Sequence, residues 1–226
     1  KEQVEQRLIF GSYPRVMTSK TDAKREIVLE ELVDSYLLKD ILKFRQVKGS
    51  KVILDLLRLL AFQVGSEVSL SELGQQLGLD YKTVRRYLDL LEKAFVIFEL
   101  RGFSRNLRKE ITKKSKYFFY DNGIRNALIS NFNGLNLRDD VGQLWENFII
   151  VERMKKQQYN QIMANNYFWR TWAGQEVDWV EQRQGKLFGY EIKWQKGASA
   201  PKDWLKTYKE AEFNVVNKES FLDFIA

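Results

Sequence analysis

The sequence predicts a multidomain α+β chain: a helical segment over residues 1–48, a winged helix-turn-helix over 49–120, and a mixed α/β domain over 121–226. Three observations carry this. Apolar residues recur at helical spacing up to Lys93; helix start and stop signals delimit two short helices between Ser69 and Lys93; and the periodicity switches to strand alternation after Lys116.

Of the 226 residues, 44% are hydrophobic, enough to bury sizeable cores. No apolar run approaches the roughly 18 uncharged residues of a membrane span, and no secretory signal opens the chain, which predicts a soluble cytoplasmic protein with no membrane partner. Because cysteine and histidine are both absent, thiol catalysis, His-dependent triads and the common zinc sites are excluded. Any metal chemistry must use oxygen ligands. The net charge of +7 fits a polyanionic partner or a solvated basic surface. The chain starts at Lys1 without methionine, which predicts a fragment of something longer.

In order along the chain, "KREIVLEELVDSYLLKDILKFRQ" (24–46) places Ile27, Leu29, Leu32, Val33, Tyr36, Leu37 and Ile41 on one helical stripe. "VKGS" breaks that helix near Lys48, and "KVILDLLRLLAFQVGS" reads as a second, more buried helix ending near Gly65. Ser69-x-x-Glu72 is a capping box for a short helix carrying Leu70, Leu73 and Leu77, and Gly78 stops it. Asp80 can cap the next helix, with Val84, Leu88 and Leu91 inward and Lys82, Arg85 and Arg86 outward.

Two strands, "FVIFELRGF" and "KYFFYD", then flank a basic loop that holds Arg101, Arg105, Arg108, Lys109, Lys113, Lys114 and Lys116 against a lone Glu110. Helix-turn-helix plus wing points to DNA: Lys82, Arg85 and Arg86 in the major groove, and the loop cations, Arg105, Arg108, Lys109, Lys113 and Lys114 among them, on phosphate. The same fold also serves as a rigid spacer or protein contact with solvated charges.

The last hundred or so residues change character. "DDVGQLWENFIIVERMKKQ" is a helix with Leu144, Phe148 and Val151 on one face and Glu146 among apolar neighbours. Three aromatic, alternating runs follow: "QIMANNYFWRTW", "QEVDWVEQ" and "KLFGYEIKW". Alternation puts Glu176, Asp178 and Val180 opposite Val177 and Trp179, and Glu191 and Lys193 opposite Tyr190, Ile192 and Trp194. A hairpin through "RQGK" can then bring Asp178 beside Glu191, two carboxylates that repel unless a cation lies between them. With oxygen ligands, Mg²⁺ (or Mn²⁺) is the natural ion, and Lys193 can orient a water or stabilise an attacked phosphate.

Asp178, the step to Glu191, and Glu191-x-Lys193 resemble the core motif of the PD-(D/E)xK nuclease superfamily, and Glu146 resembles the acid that many members carry on the preceding helix. The order "TVRRYLDLLEKAFVIFEL", "KSKYFFYDNG", helix acid, "WR", "EVDWV", "YEIKW", with "FGSYPRV" near the start, is similar to the domain of unknown function that follows the ATPase module in a large group of prokaryotic AAA+ proteins. That resemblance implies a winged helix followed by a restriction-endonuclease-like domain with a mixed central sheet, and the chain's own ATPase domain as a partner, with an oligomer allowed. No Gly-x-x-x-x-Gly-Lys-Ser/Thr loop is present, so this segment cannot hydrolyse ATP by that route.

The resemblance implies a catalytic set of Glu146, Asp178, Glu191 and Lys193, with Asp178 and Glu191 on the metal. Three readings stand side by side: a Mg²⁺-dependent DNA phosphodiesterase, a DNA-docking module with a nuclease-like fold, and a protein-interaction module. In the third, Trp145, Trp169, Trp172, Trp179, Trp194 and Trp204 form an interface, although aromatics at strand spacing are more often core.

Overall fold

The computed structural model describes residues 2–37, 50–103, 115–195, 197 and 199–226. The fold mixes α and β elements and divides into two compact units, Lys1–Glu99 with Lys116–Asp140, and Leu100–Ser115 with Val141–Ala226.

The first unit opens with α1 (Glu2–Phe10), α2 (Pro14–Met17) and α3 (Asp22–Glu31). Proline begins α2, where its missing N–H costs nothing, and the Thr21 hydroxyl caps α3 by accepting from the Lys24 N–H. The helix expected over 24–46 lies within the described residues only as far as Leu37, where α3 runs directly into a π-helical turn, Leu32–Leu37. Val28, Leu29 and Val33 are buried, whereas Ile27 is 48% exposed. Ile41 and the Lys48 break lie outside the described residues.

Beyond them, α4 (Ser50–Phe62) buries Ile53, Leu56, Leu57, Leu60 and Ala61 at helical spacing and leads to β1 (Glu67–Val68). Local signals then set the next two helices. The Ser69 hydroxyl accepts from the Glu72 N–H to open α5 (Leu70–Leu77), and Gly78 ends it in the left-handed region at φ 65°. The Asp80 carboxylate accepts the Thr83 N–H at 2.9 Å to open α6 (Tyr81–Lys93), and Val84, Leu88 and Leu91 are fully buried. A Cβ on Gly74 would sit 2.6 Å from the Leu79 carbonyl oxygen, so the chain's tight return after α5 depends on that glycine.

Strands β2 (Ile97–Gly102) and β3 (Ser115–Phe119) form where expected, in the order β1-β3-β2. The first unit does not close at Tyr120. Helix α7 (Asn122–Leu128) packs on α1, α3 and α4, and the Asn126 amide donates to the carbonyls of Leu8 and Ile9. The Arg125 guanidinium reaches the Ala61 carbonyl at 2.8 Å and shares Asp140 with Arg138, which ties residues up to 140 into this unit.

The second unit takes Leu100, Arg101 and Gly102 of β2, then α8 (Val141–Tyr159), β4 (Asn165–Arg170), β5 (Glu176–Arg183), β6 (Lys186–Ile192), α9 (Lys202–Thr207), β7 (Glu212–Val216) and α10 (Phe221–Ile225). Its sheet is mixed: β2 parallel to β4, β4–β5–β6 antiparallel, and β7 parallel to β6. Both faces are covered. Phe224 of α10 stacks on Tyr190, while Trp204 of α9 packs with Val177, Val180 and Leu187.

Candidate functional site

The site begins with a turn. Gln184 and Gly185 both have positive φ (51° and 75°) and join the paired Arg183 and Lys186, the two-residue hairpin geometry that matches strand twist. Short loops fix register, and here Trp179 faces Tyr190, so the next pair outward is Asp178 opposite Glu191.

Three of the four proposed catalytic side chains converge. Lys193 Nζ lies 2.7 Å from Glu191 Oε1 and 3.6 Å from Asp178 Oδ2, and Asp178 Oδ2 accepts the Ile192 N–H at 2.8 Å. Asp178 is buried, Lys193 is half-exposed, and Glu191 Oε2 is buried without a hydrogen bond. Burial and the Asp178 charge push the Glu191 carboxyl above its ordinary pKa against the pull of Lys193. Burial alone would lower the Lys193 ammonium, but Asp178, Glu191 and Glu146 together raise it. Glu146, on α8, is therefore felt at Lys193, yet among the described residues no three Asp or Glu side chains form a group able to hold a metal.

A register shift sits beside the site. Tyr167 pairs with Val180 and Trp169 with Val177, so Phe168 faces two residues, Asp178 and Trp179. This β-bulge corrects the expected alternation. Val177 shares a core with Val180, while the Trp179 indole N–H turns the other way and donates to Glu181 at 3.0 Å. Two further contacts were not legible as motifs: Gln175 exchanges two hydrogen bonds with Asp203 of α9, and the Lys218 ammonium lies 4.0 Å over the Trp194 ring.

In the first unit, Lys82 and Arg86 are exposed on α6, as expected. Arg85 is not free to leave its helix. Its guanidinium binds both Glu99 oxygens, at 2.9 and 3.1 Å, because β2 brings an acid under the helix, and Asp89 adds a contact at 3.3 Å. Lys116, read as part of the basic loop, is buried within β3. Arg105, Arg108, Lys109, Lys113 and Lys114 lie outside the described residues.

Residues 1–136 match the Domain of unknown function (DUF8612). The chain belongs to that family. In this DUF8612 chain, residues 141–220 match a second, Domain of unknown function (DUF4143), and the change from one to the other falls where the first compact unit gives way to α8. Uncharacterized proteins of Mycobacterium bovis and Mycobacterium tuberculosis are each 31% identical over 139 residues, 60% of this chain and 30% of theirs. An uncharacterized protein of Haemophilus influenzae is 28% identical over 152 residues, 65% of this chain and 36% of its own. The matched region thus spans about a third of these curated relatives. No solved structure matches.

Proposed function

We propose that the chain is the DNA-binding, nuclease-like portion of an AAA+ ATPase, and that its second unit is a Mg²⁺-dependent DNA phosphodiesterase. The observation that carries this reading is Lys193 lying between the Asp178 and Glu191 carboxylates across β5 and β6. Side-by-side carboxylates form a hard oxygen donor set, and the unbonded, buried Glu191 Oε2 is an acceptor that a cation satisfies. Asp178 and Glu191 would hold the ion, which when bound supplies Lewis-acid polarisation of a phosphoryl oxygen and a more acidic water.

The chain's own groups do the rest. The Ile192 N–H fixes the Asp178 carboxylate, and the half-exposed Lys193 ammonium offers charge to an incoming phosphate. Asp178 and Glu191, with a smaller contribution from Glu146, favour the protonated Lys193. In the first unit, the exposed Lys82 and Arg86 supply phosphate contacts from α6. A second reading, DNA docking without cleavage, is favoured by the lack of a three-acid group among the described residues.

Calorimetry with Mn²⁺ on the parent, Asp178→Asn and Glu191→Ala tests ion binding, and nicking of a supercoiled plasmid with Lys193→Ala tests cleavage. The phosphodiesterase reading predicts heat for the parent only and nicking that Lys193→Ala abolishes. Equal heats for all three proteins would remove the metal site, and parental heat without nicking would leave the docking reading.

A further inference from the structure

We infer that Trp172 is a stacking platform for an unpaired nucleobase, so that the nucleic acid taken by the second unit is single-stranded or opened beside the Asp178–Glu191–Lys193 cluster; this rests on the phosphodiesterase reading. The other tryptophans are all engaged. Trp145, Trp179 and Trp204 are fully buried, Trp169 packs edge-to-face with Trp204, and Trp194 lies between Trp145 and Lys218. Trp172 is 103% exposed.

Its exposure is a fixed one. The turn that carries it is pinned by Thr171 N–H to the Gln175 carbonyl at 2.9 Å, Gly174 N–H to the Thr171 carbonyl at 3.0 Å, and Gln175 N–H to the Thr171 hydroxyl at 3.1 Å. Gln175 is in turn fastened to α9 through Asp203, and Gly174 takes φ +81°. A braced turn spares the backbone the ordering cost that binding would exact from a loose loop.

Position and charge say what that partner is. Trp172 follows the last residue of β4 and precedes the first residues of β5; Glu176 is two strand steps, about 7 Å, from Asp178. The turn therefore projects from the sheet end where Lys193 leaves β6. Arg170, 3.9 Å from Glu176, and Lys193, against Glu191 and Asp178, have side chains 41% and 45% exposed, so each cation sits beside an acid and keeps an open side for a phosphate. On the phosphodiesterase reading a strand that reaches the acids passes this turn, and an aromatic face beside part-exposed cations is the chemistry that holds a splayed base; in an intact duplex the base faces are already stacked on one another.

The test measures affinity of the parent, Trp172→Ala, Trp172→Phe and Lys193→Ala for one labelled oligonucleotide, single-stranded and as a blunt duplex, with sedimentation of each protein alongside. Trp172→Ala should weaken single-strand binding about tenfold, with Trp172→Phe near the parent and duplex binding unchanged. Lys193→Ala should weaken both. If Trp172→Ala binds single strands like the parent while Lys193→Ala does not, the stacking role falls and the phosphodiesterase reading stands. If neither variant alters either affinity, that reading falls and the stacking role with it. Equal losses for both nucleic acids, or a change in self-association alone, would make Trp172 a general contact or a contact between copies and overturn the inference.

Discussion

Arg153 grips Glu181 through two parallel hydrogen bonds, 2.6 and 2.9 Å long, in the interior of the second unit. Glu181 is fully buried and also accepts from Gln157, Trp179 and Arg183, while the Arg153 guanidinium donates to the Phe224 carbonyl and lies 4.6 Å over the Phe224 ring. One carboxylate thus ties α8, β5 and α10 together.

Glu181→Ala leaves the Arg153 charge buried and unpaired, which costs about 3–5 kcal/mol. Urea denaturation should report a loss of that order. A loss under about 1 kcal/mol would mean the pair is dispensable. Burial pushes the Glu181 carboxyl up, but Arg153, Trp179 and Arg183 hold it below its ordinary value of 4.5. A depressed pKa gives stability that is present above 4.5 and lost as pH falls through the folded value, so the stability gap between the parent and Glu181→Ala should narrow as the solution is acidified.

Glu191 carries the opposite sign. Its folded pKa is raised, so the folded state holds the proton more tightly and stability falls as pH climbs from 4.5 through the folded value. Glu191→Gln should therefore melt higher than the parent at about pH 8, and the gain should vanish at about pH 4, below both values. A gain independent of pH would show that the carboxyl's charge is not its cause.

Gly11 meets Asp121 at a seam in the first unit. The Asp121 carboxylate accepts from the N–H groups of Ser12 and Ile124, at 2.6 and 3.1 Å, and a Cβ on Gly11 would fall 1.9 Å from its Oδ1. Gly11 also sits at φ 74°. Gly11→Ala should cost about 2–4 kcal/mol, backbone strain plus overpacking. Gly78→Ala shares the positive φ but meets nothing within 4 Å, so it should cost only about 1–2 kcal/mol. Equal losses in a denaturant titration would mean the clash is relieved by movement.

On the proposed DNA-contacting face of α6, Lys82→Glu with Arg86→Glu should weaken duplex binding and reduce the slope of log affinity against log salt by roughly 2, one for each lost phosphate contact. Arg85→Glu should instead lower the melting temperature, since it removes the partner of Glu99 and sets a second acid against it. Anisotropy over a salt series separates the two, and an unchanged slope for the double variant would exclude α6 as the contact.

The helices between Ser69 and Lys93 were legible because their caps are local: Ser69, Gly78 and Asp80 act within three or four residues of themselves. The Asp178–Glu191 pairing was legible for a like reason, since a two-residue turn carries its register in the sequence. Arg85 misled because its partner Glu99 lies 14 residues on and is placed by a strand. Arg153 and Glu181 are 28 residues apart, and nothing near either one announces the other. The short α9, β7 and α10 owe their form to packing on the sheet and not to a strong period of their own.

The extra residue in β5 changes how the strand is read. Upstream of Asp178, odd-numbered positions face α9; downstream, the even-numbered ones do, as Val177 and Val180 show by sharing one core. The strand is thus spelled in two phases, with the acid at the punctuation between them. Deleting Asp178 or Trp179 would remove the bulge and leave Val177 and Val180 two positions apart, in a single phase on the layer they already share, whereas deleting Glu181 or Gln182, outside the bulge, would send the residues on one side of the gap to the wrong layer; the strand should therefore tolerate the loss of a residue at the bulge far better than beside it.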